Sequence, residues 1–166
     1  MCKYDPSNDV SVHVAMDNTL IISEVKQSCL TETVLDSEQR QYTWKPLLLF
    51  ISLRLGLSEI NPVYKTGLKT CFSLPCSLGV IGGSPNHALY LLGVVGDEVL
   101  YLDPHTTQPS VSSPDKSYHI SRPGRIDISQ LDPSLALCFL CITEQEFDNL
   151  CIAIQVITSS ILFFQI

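Results

Sequence analysis

Asp103 and His105, in the run Leu102-Asp103-Pro104-His105-Thr106, are a carboxylate and an imidazole two positions apart. In extended backbone such residues share a face, roughly 6 to 7 Å apart, so their side chains can meet. A carboxylate held against an imidazole fixes the ring's tautomer and stabilises its protonated form, which is what a general base serving a serine or cysteine nucleophile requires. The same tripeptide also reads as an ordinary turn, because Asp-Pro commonly starts one. The surrounding sequence has to decide between them.

Other residues with chemical potential are weaker. Gly82-Gly83-Ser84-Pro85-Asn86 reads either as a simple connection or as a hinged flap over a groove. Cys138 and Cys141 make a C-x-x-C pair, which on a tight knuckle would suggest zinc. Here they fall in an apolar strand pattern that sends them to opposite faces, and no companion pair is evident. Cys71 reads as a helix-face core residue and Cys76 as a loop residue. His13, His87 and His119 stand alone and read as structural or solvent-facing, and Trp44 beside Pro46 as a packing residue at a strand entrance.

These residues need elements to hold them. Val10, Val12 and Val14 alternate with polar residues, the period of a half-buried strand, and Asp17 or Asn18 then caps a helix running toward Cys29. The polar stretch from Leu30 to Thr43 reads as a solvated, flexible loop. Leu47 to Leu53 is a buried strand that breaks at Arg54 and Gly56. Asn61 and Pro62 start a helix with Tyr64, Leu68, Cys71 and Phe72 on one face. Leu89 through Leu102 form two strands joined at Gly96-Asp97, an antiparallel hairpin that delivers Asp103 at its end. A long loop spans Pro104 to Pro123, and Leu135 to Ile142 is another buried strand. Thr143 and Glu146 then form a capping box ahead of a helical stripe of Phe147, Leu150, Cys151 and Ile154.

The chain of 166 residues is 45% hydrophobic and 16% charged, enough for one folded domain with a sizeable core. A net charge of -7, with only ten scattered Lys and Arg, argues against a nucleic-acid partner. Seven irregularly spaced cysteines do not make a disulfide framework and suit a reducing, cytoplasmic setting. No run has signal-peptide character, and the carboxy-terminal ILFFQI is too short for a transmembrane segment.

The stretch GVIGGSPNHALYLLGVVGDEVLYLDPHTTQPSV, Gly79 to Val111, closely resembles the segment of the autophagy-related protein 4 (autophagin) cysteine peptidases that carries their catalytic Asp and His. The similarity extends through VHVAMDNT from Val12, PLLLFISLRLGLSEIN from Pro46 and LDPSLALCFLC from Leu131. It implies an α+β, papain-like cysteine peptidase fold, here incomplete, with a mixed sheet and flanking helices. It implies an endopeptidase that cuts a ubiquitin-like autophagy modifier of the autophagy-related protein 8 family after its carboxy-terminal glycine. That reaction matures the precursor or releases the modifier from its phosphatidylethanolamine conjugate, with no metal or organic cofactor.

Carried over by motif, His105 becomes the general base and Asp103 its orienting partner. Gly82, Gly83, Ser84, Pro85 and Asn86 match a movable loop over the substrate groove, and Arg54 and Leu57 match positions on the modifier-binding surface. A groove closed by such a loop can pass a glycine and reject bulkier residues. The family's nucleophilic cysteine lies in a G-W-G-C-M segment that does not occur here, and none of the seven cysteines sits in a matching context. The resemblance therefore implies the carboxy-terminal portion of the catalytic domain, carrying Asp and His without the nucleophile. Its alternative is a catalytically inactive fragment that still binds the modifier.

Overall fold

A computed structural model describes residues 9–16, 19–36, 39–113 and 115–160. The Asp17 or Asn18 cap and the run ILFFQI lie outside them. The frame is a seven-stranded mixed sheet in the order β1-β4-β9-β5-β6-β7-β8. Its strands are β1 (Ser11–Ala15), β4 (Leu47–Arg54), β5 (Ser77–Ser84), β6 (His87–Val95), β7 (Glu98–Leu102), β8 (Gly124–Asp127) and β9 (Ser134–Cys141). Only β1 and β4 run parallel; the remaining pairs are antiparallel. The β6–β7 hairpin turns at Gly96, which takes φ 65, as the Gly-Asp pair predicts.

β4 is apolar on both faces for a physical reason. Leu47, Leu49, Ile51 and Leu53 point into the core, beside Leu135, Leu137, Phe139 and Cys141 of β9. That face is covered by helices α1 (Ile22–Cys29), α2 (Lys65–Phe72) and α3 (Glu144–Ser160). They contribute Val25 and Cys29, then Leu68 and Cys71, then Phe147, Leu150, Cys151 and Ile154 to one buried cluster. The opposite face carries Leu48 and Phe50, with Val12 and Val14 of β1 beside them and Ile81 and Tyr90 farther along. Val12, Val14, Ile81 and Tyr90 are exposed. So the alternating valines are a strand, as expected, but their side chains turn away from the helices.

The helix signals are borne out at the second and third helices. Asn61 accepts a hydrogen bond from the Val63 N–H at 3.1 Å, starting a 3-10 turn over Pro62–Tyr64 that runs into α2. Ahead of α3 the Glu146 N–H donates to Thr143 Oγ1 at 3.2 Å while Glu146 Oε2 accepts from the N–H groups of Ile142 and Thr143, a reciprocal cap. Before α1 the capping position is Ile21, which offers no side-chain bond.

The segment expected as a flexible loop is instead a hairpin, β2 (Leu30–Asp36) with β3 (Gln39–Trp44), forming a separate two-stranded sheet. Its sequence hides it because alternation appears only when one face is buried, and this ribbon stands apart from the core sheet. Paired threonines, Thr31 opposite Thr43, and a Glu32–Arg40 ion pair at 2.9 Å hold it together. Trp44 anchors its end by stacking on Phe147 at 6.0 Å and donating Nε1–H to the Cys141 carbonyl at 3.4 Å. β5 and β8 are likewise strands that periodicity did not mark, since glycines interrupt the first and the second is only four residues long.

Candidate active site

The chain leaves β7 at Leu102, and Asp103 begins a turn. Its Oδ1 accepts the backbone N–H of His105 at 2.9 Å and, from the same residue, the ring Nδ1–H at 2.7 Å. The turn and the carboxylate–imidazole pair are thus one structure. The expected extended spacing is replaced by a side-chain-closed turn, which brings the ring closer than a strand would. The backbone bond from His105, then its ring bond, hold the Asp103 carboxyl far below its ordinary range, at about 2. A group so acidic only accepts, so Nδ1 of neutral His105 carries the proton and Nε2 keeps its lone pair. Among the described residues Nε2 of His105 makes no hydrogen bond, and the ring is half exposed. This is the arrangement of a general base oriented by a carboxylate.

A second imidazole completes the cluster. His87, at the start of β6, donates Nε2–H to Asp103 Oδ2 at 3.2 Å, and its ring stacks on that of His105 with centroids 4.4 Å apart and planes at 26°. In the linear sequence His87 stands isolated. The register could have found it: Tyr90 pairs with Leu102, and continuing that pairing three residues outward puts His87 opposite His105. What conceals it is the irregularity between Leu91 and Gly93, which shifts the count from the Gly96-Asp97 turn by one.

The remaining residues singled out by sequence gather at the same end of the sheet. Gly82, Gly83 and Ser84 are the last residues of β5 and pair with Leu89, Ala88 and His87. Pro85 and Asn86 form the two-residue tip, with Asn86 at φ 63, the pattern of a type II turn. The segment is therefore a strand end and hairpin tip beside the dyad, not a free-standing loop. Gly83 is tied down further, because its carbonyl accepts the Asp132 N–H at 2.7 Å. Arg54 ends β4, donating to Ser134 Oγ at 3.0 Å and to the Leu57 carbonyl at 2.8 Å. Leu57 itself is 88% exposed.

Residues 1–153 match the peptidase C54 catalytic domain. The chain belongs to the peptidase C54 family. It is 41% identical to the cysteine protease ATG4A of Homo sapiens over 178 residues and 42% identical to that of Pongo abelii, in both cases covering 92% of this chain and 45% of the relative. It is 44% identical to the cysteine protease ATG4B of Xenopus laevis over 168 residues, covering 89% of this chain and 44% of the relative. The chain thus spans a little under half the length of these relatives. Its α+β architecture, a mixed sheet with flanking helices, agrees with the papain-like fold of C54 peptidases.

C54 chemistry needs a thiolate beside the imidazole. The six described cysteines, Cys29, Cys71, Cys76, Cys138, Cys141 and Cys151, are all free. None hydrogen-bonds His105. Burial pushes the Cys71 thiol up to about 12 and Cys151 to about 11. Cys138 is likewise raised by burial, and Cys141 by its bond to Cys76. That bond lowers Cys76. Yet Cys76 precedes β5 while His87 pairs with the last residue of that strand, which puts about 25 Å of extended chain between them. Cys138 and Cys141 lie on opposite faces of β9, as their spacing predicts.

Proposed function

We propose that this chain supplies the Asp–His half of a C54 cysteine peptidase active site, whose nucleophilic cysteine comes from polypeptide corresponding to the rest of its relatives. The observation that carries the reading is the Asp103–His105 contact, which leaves the His105 Nε2 lone pair free at an exposed strand end. The substrate is a ubiquitin-like autophagy modifier of the autophagy-related protein 8 family, cut after its carboxy-terminal glycine. Its phosphatidylethanolamine conjugate is included, and the setting is cytoplasmic. In support, the relatives are named as cysteine proteases, ATG4A and ATG4B, and the described cysteines are free, which suits a reducing compartment. No helix among the described residues is long and apolar enough to cross a membrane.

The chemistry follows from the dyad. His105 Nε2 takes the thiol proton, and the resulting imidazolium is stabilised by the Asp103 carboxylate. The thiolate attacks the glycine carbonyl, and the imidazolium returns its proton to the departing amine, either a peptide nitrogen or the ethanolamine nitrogen of the lipid. Water, deprotonated by the same nitrogen, then hydrolyses the thioester. The tip at Gly82 to Asn86 adjoins the dyad and is suited to covering a glycine-sized groove. A second reading, modifier binding without cleavage, draws on Leu57, a bare apolar side chain whose backbone is fixed by Arg54.

The test fuses the amino-terminal half of a relative ahead of Met1 and assays release of a group masking the modifier's terminal glycine. The chain alone is expected to be inactive, and the fusion active. His105→Ala in the fusion should abolish cleavage, because a thiol of ordinary pKa, about 8.5, stays protonated without a base. Asp103→Asn should lower turnover by roughly two to four powers of ten, since the amide favours the wrong tautomer. Modifier binding should survive both changes. Thiol-dependent cleavage by the unfused chain, or an active fusion that tolerates either substitution with unchanged kinetics, contradicts the proposal.

A further inference from the structure

Asp103 has two oxygens, and the C54 dyad accounts for one. Oδ1 takes both bonds from His105; Oδ2 is taken by His87, which also lies against the face of the His105 ring. Because the carboxylate is acceptor-only, the His87 nitrogen facing it must be the protonated one. His87 is neither loosely placed nor on the same loop. It opens β6, directly across from Ser84 at the hairpin tip, while Asp103 follows β7. A turn closed only by its own side chain would leave the carboxylate free to rotate about its terminal bond, a torsion with broad, soft minima. A donor on a neighbouring strand removes that freedom.

We propose that His87 is a positioning residue for the peptidase reaction: it clamps Oδ2 of Asp103 and packs on His105, so that the base is presented in one tautomer and one ring plane. The inference rests on the reading of Asp103 and His105 as the general-base pair. It also gives the hairpin tip a second role, since whatever displaces Ser84 to His87 loosens the base.

The experiment uses the chain as it is, with ring nitrogens labelled with 15N, and reads the tautomer and the low-field Nδ1 proton of His105 by NMR. In the parent chain one Nδ1–H tautomer with a slowly exchanging proton is expected. In His87→Ala that proton signal should be lost and the ring should sample both tautomers. His87→Gln, which keeps a donor at similar reach, should retain the signal. His87→Phe, which keeps the stacking without the donor, should lose it. Amide spectra matching the parent verify that each variant folds.

An unchanged His105 spectrum in His87→Ala overturns the positioning role. So does a parent signal that vanishes on adding a chelator, since the three side chains would then be ordered by a bound cation. Asp103→Asn separates the two claims. If it leaves the His105 signal untouched, the dyad itself is wrong; if it abolishes the signal while His87→Ala does not, only the present inference falls.

Discussion

Three hydrogen bonds converge on the two oxygens of Asp103, two from His105 and one from His87, and a carboxylate so supplied gives up its charge late. Its folded-state pKa, about 2, lies below the ordinary 3.8. The depressed value means that the favourable contacts are complete above 3.8 and are lost as pH falls through about 2. Following the side-chain carboxyl carbon of Asp103 by 13C NMR should give a midpoint near the lower value, and His105→Ala should move it up toward the ordinary one. A midpoint at the ordinary value in the parent chain would mean the bonds do not form in solution. The pair itself was legible from sequence because the residue types are two apart and embedded in a specific motif. His87 was not, because its partnership depends on pairing between strands and on a single-residue irregularity, neither of which leaves a mark in a linear pattern.

The β5–β6 hairpin depends on two glycines whose backbone no other residue adopts readily, Gly79 and Gly83, and the second lies beside the dyad. Gly83 sits at φ 144, and a Cβ there would overlap the His87 carbonyl oxygen. Gly83→Ala should therefore cost at least about 1 to 3 kcal/mol in stability. It should also loosen the His87–Asp103 contact, because the overlap is with the residue that makes it. Urea denaturation checks the first consequence, and the His105 ring spectrum checks the second. A variant matching the parent in both would show that the hairpin tip is more forgiving than its geometry. At this scale, elements that bury a face announced themselves: α3 by its stripe and its Thr143–Glu146 cap, β4 and β9 by continuous apolar runs. The β2–β3 ribbon did not, because none of its described side chains is fully buried and so there is no period to read.

Among the described residues, helices clothe one side of the sheet only. Helices cover the face of Leu47, Leu49 and Ile51, while Val12, Val14, Ile81 and Tyr90 stand exposed on the other beside Leu48 and Phe50. An apolar sheet face of this extent favours association, so the isolated chain should self-associate at micromolar concentration. Val12→Lys with Val14→Lys should shift it toward monomer without unfolding it, as both side chains already meet solvent. Sedimentation velocity decides, and a monodisperse parent monomer with a cooperative melt would count against the prediction. Periodicity marks β1, β4, β6, β7 and β9 of this sheet but not which face lacks a cover, since that depends on where α1, α2 and α3 pack.

The position of β9 has a further consequence, for the order in which the molecule can be built. Among the described residues it is the last strand in sequence, yet it lies between β4 and β5 and links them within the sheet. Arg54 finds its partner Ser134 across a separation of 80 residues. As the chain emerges from the ribosome, β1 with β4 and the β5–β8 meander can each pair locally, but they remain two unconnected sheets with open edges until Cys141 has been made. Closure therefore comes late and joins distant segments, a slow step by its loop entropy. Until then the growing chain carries unpaired strand edges.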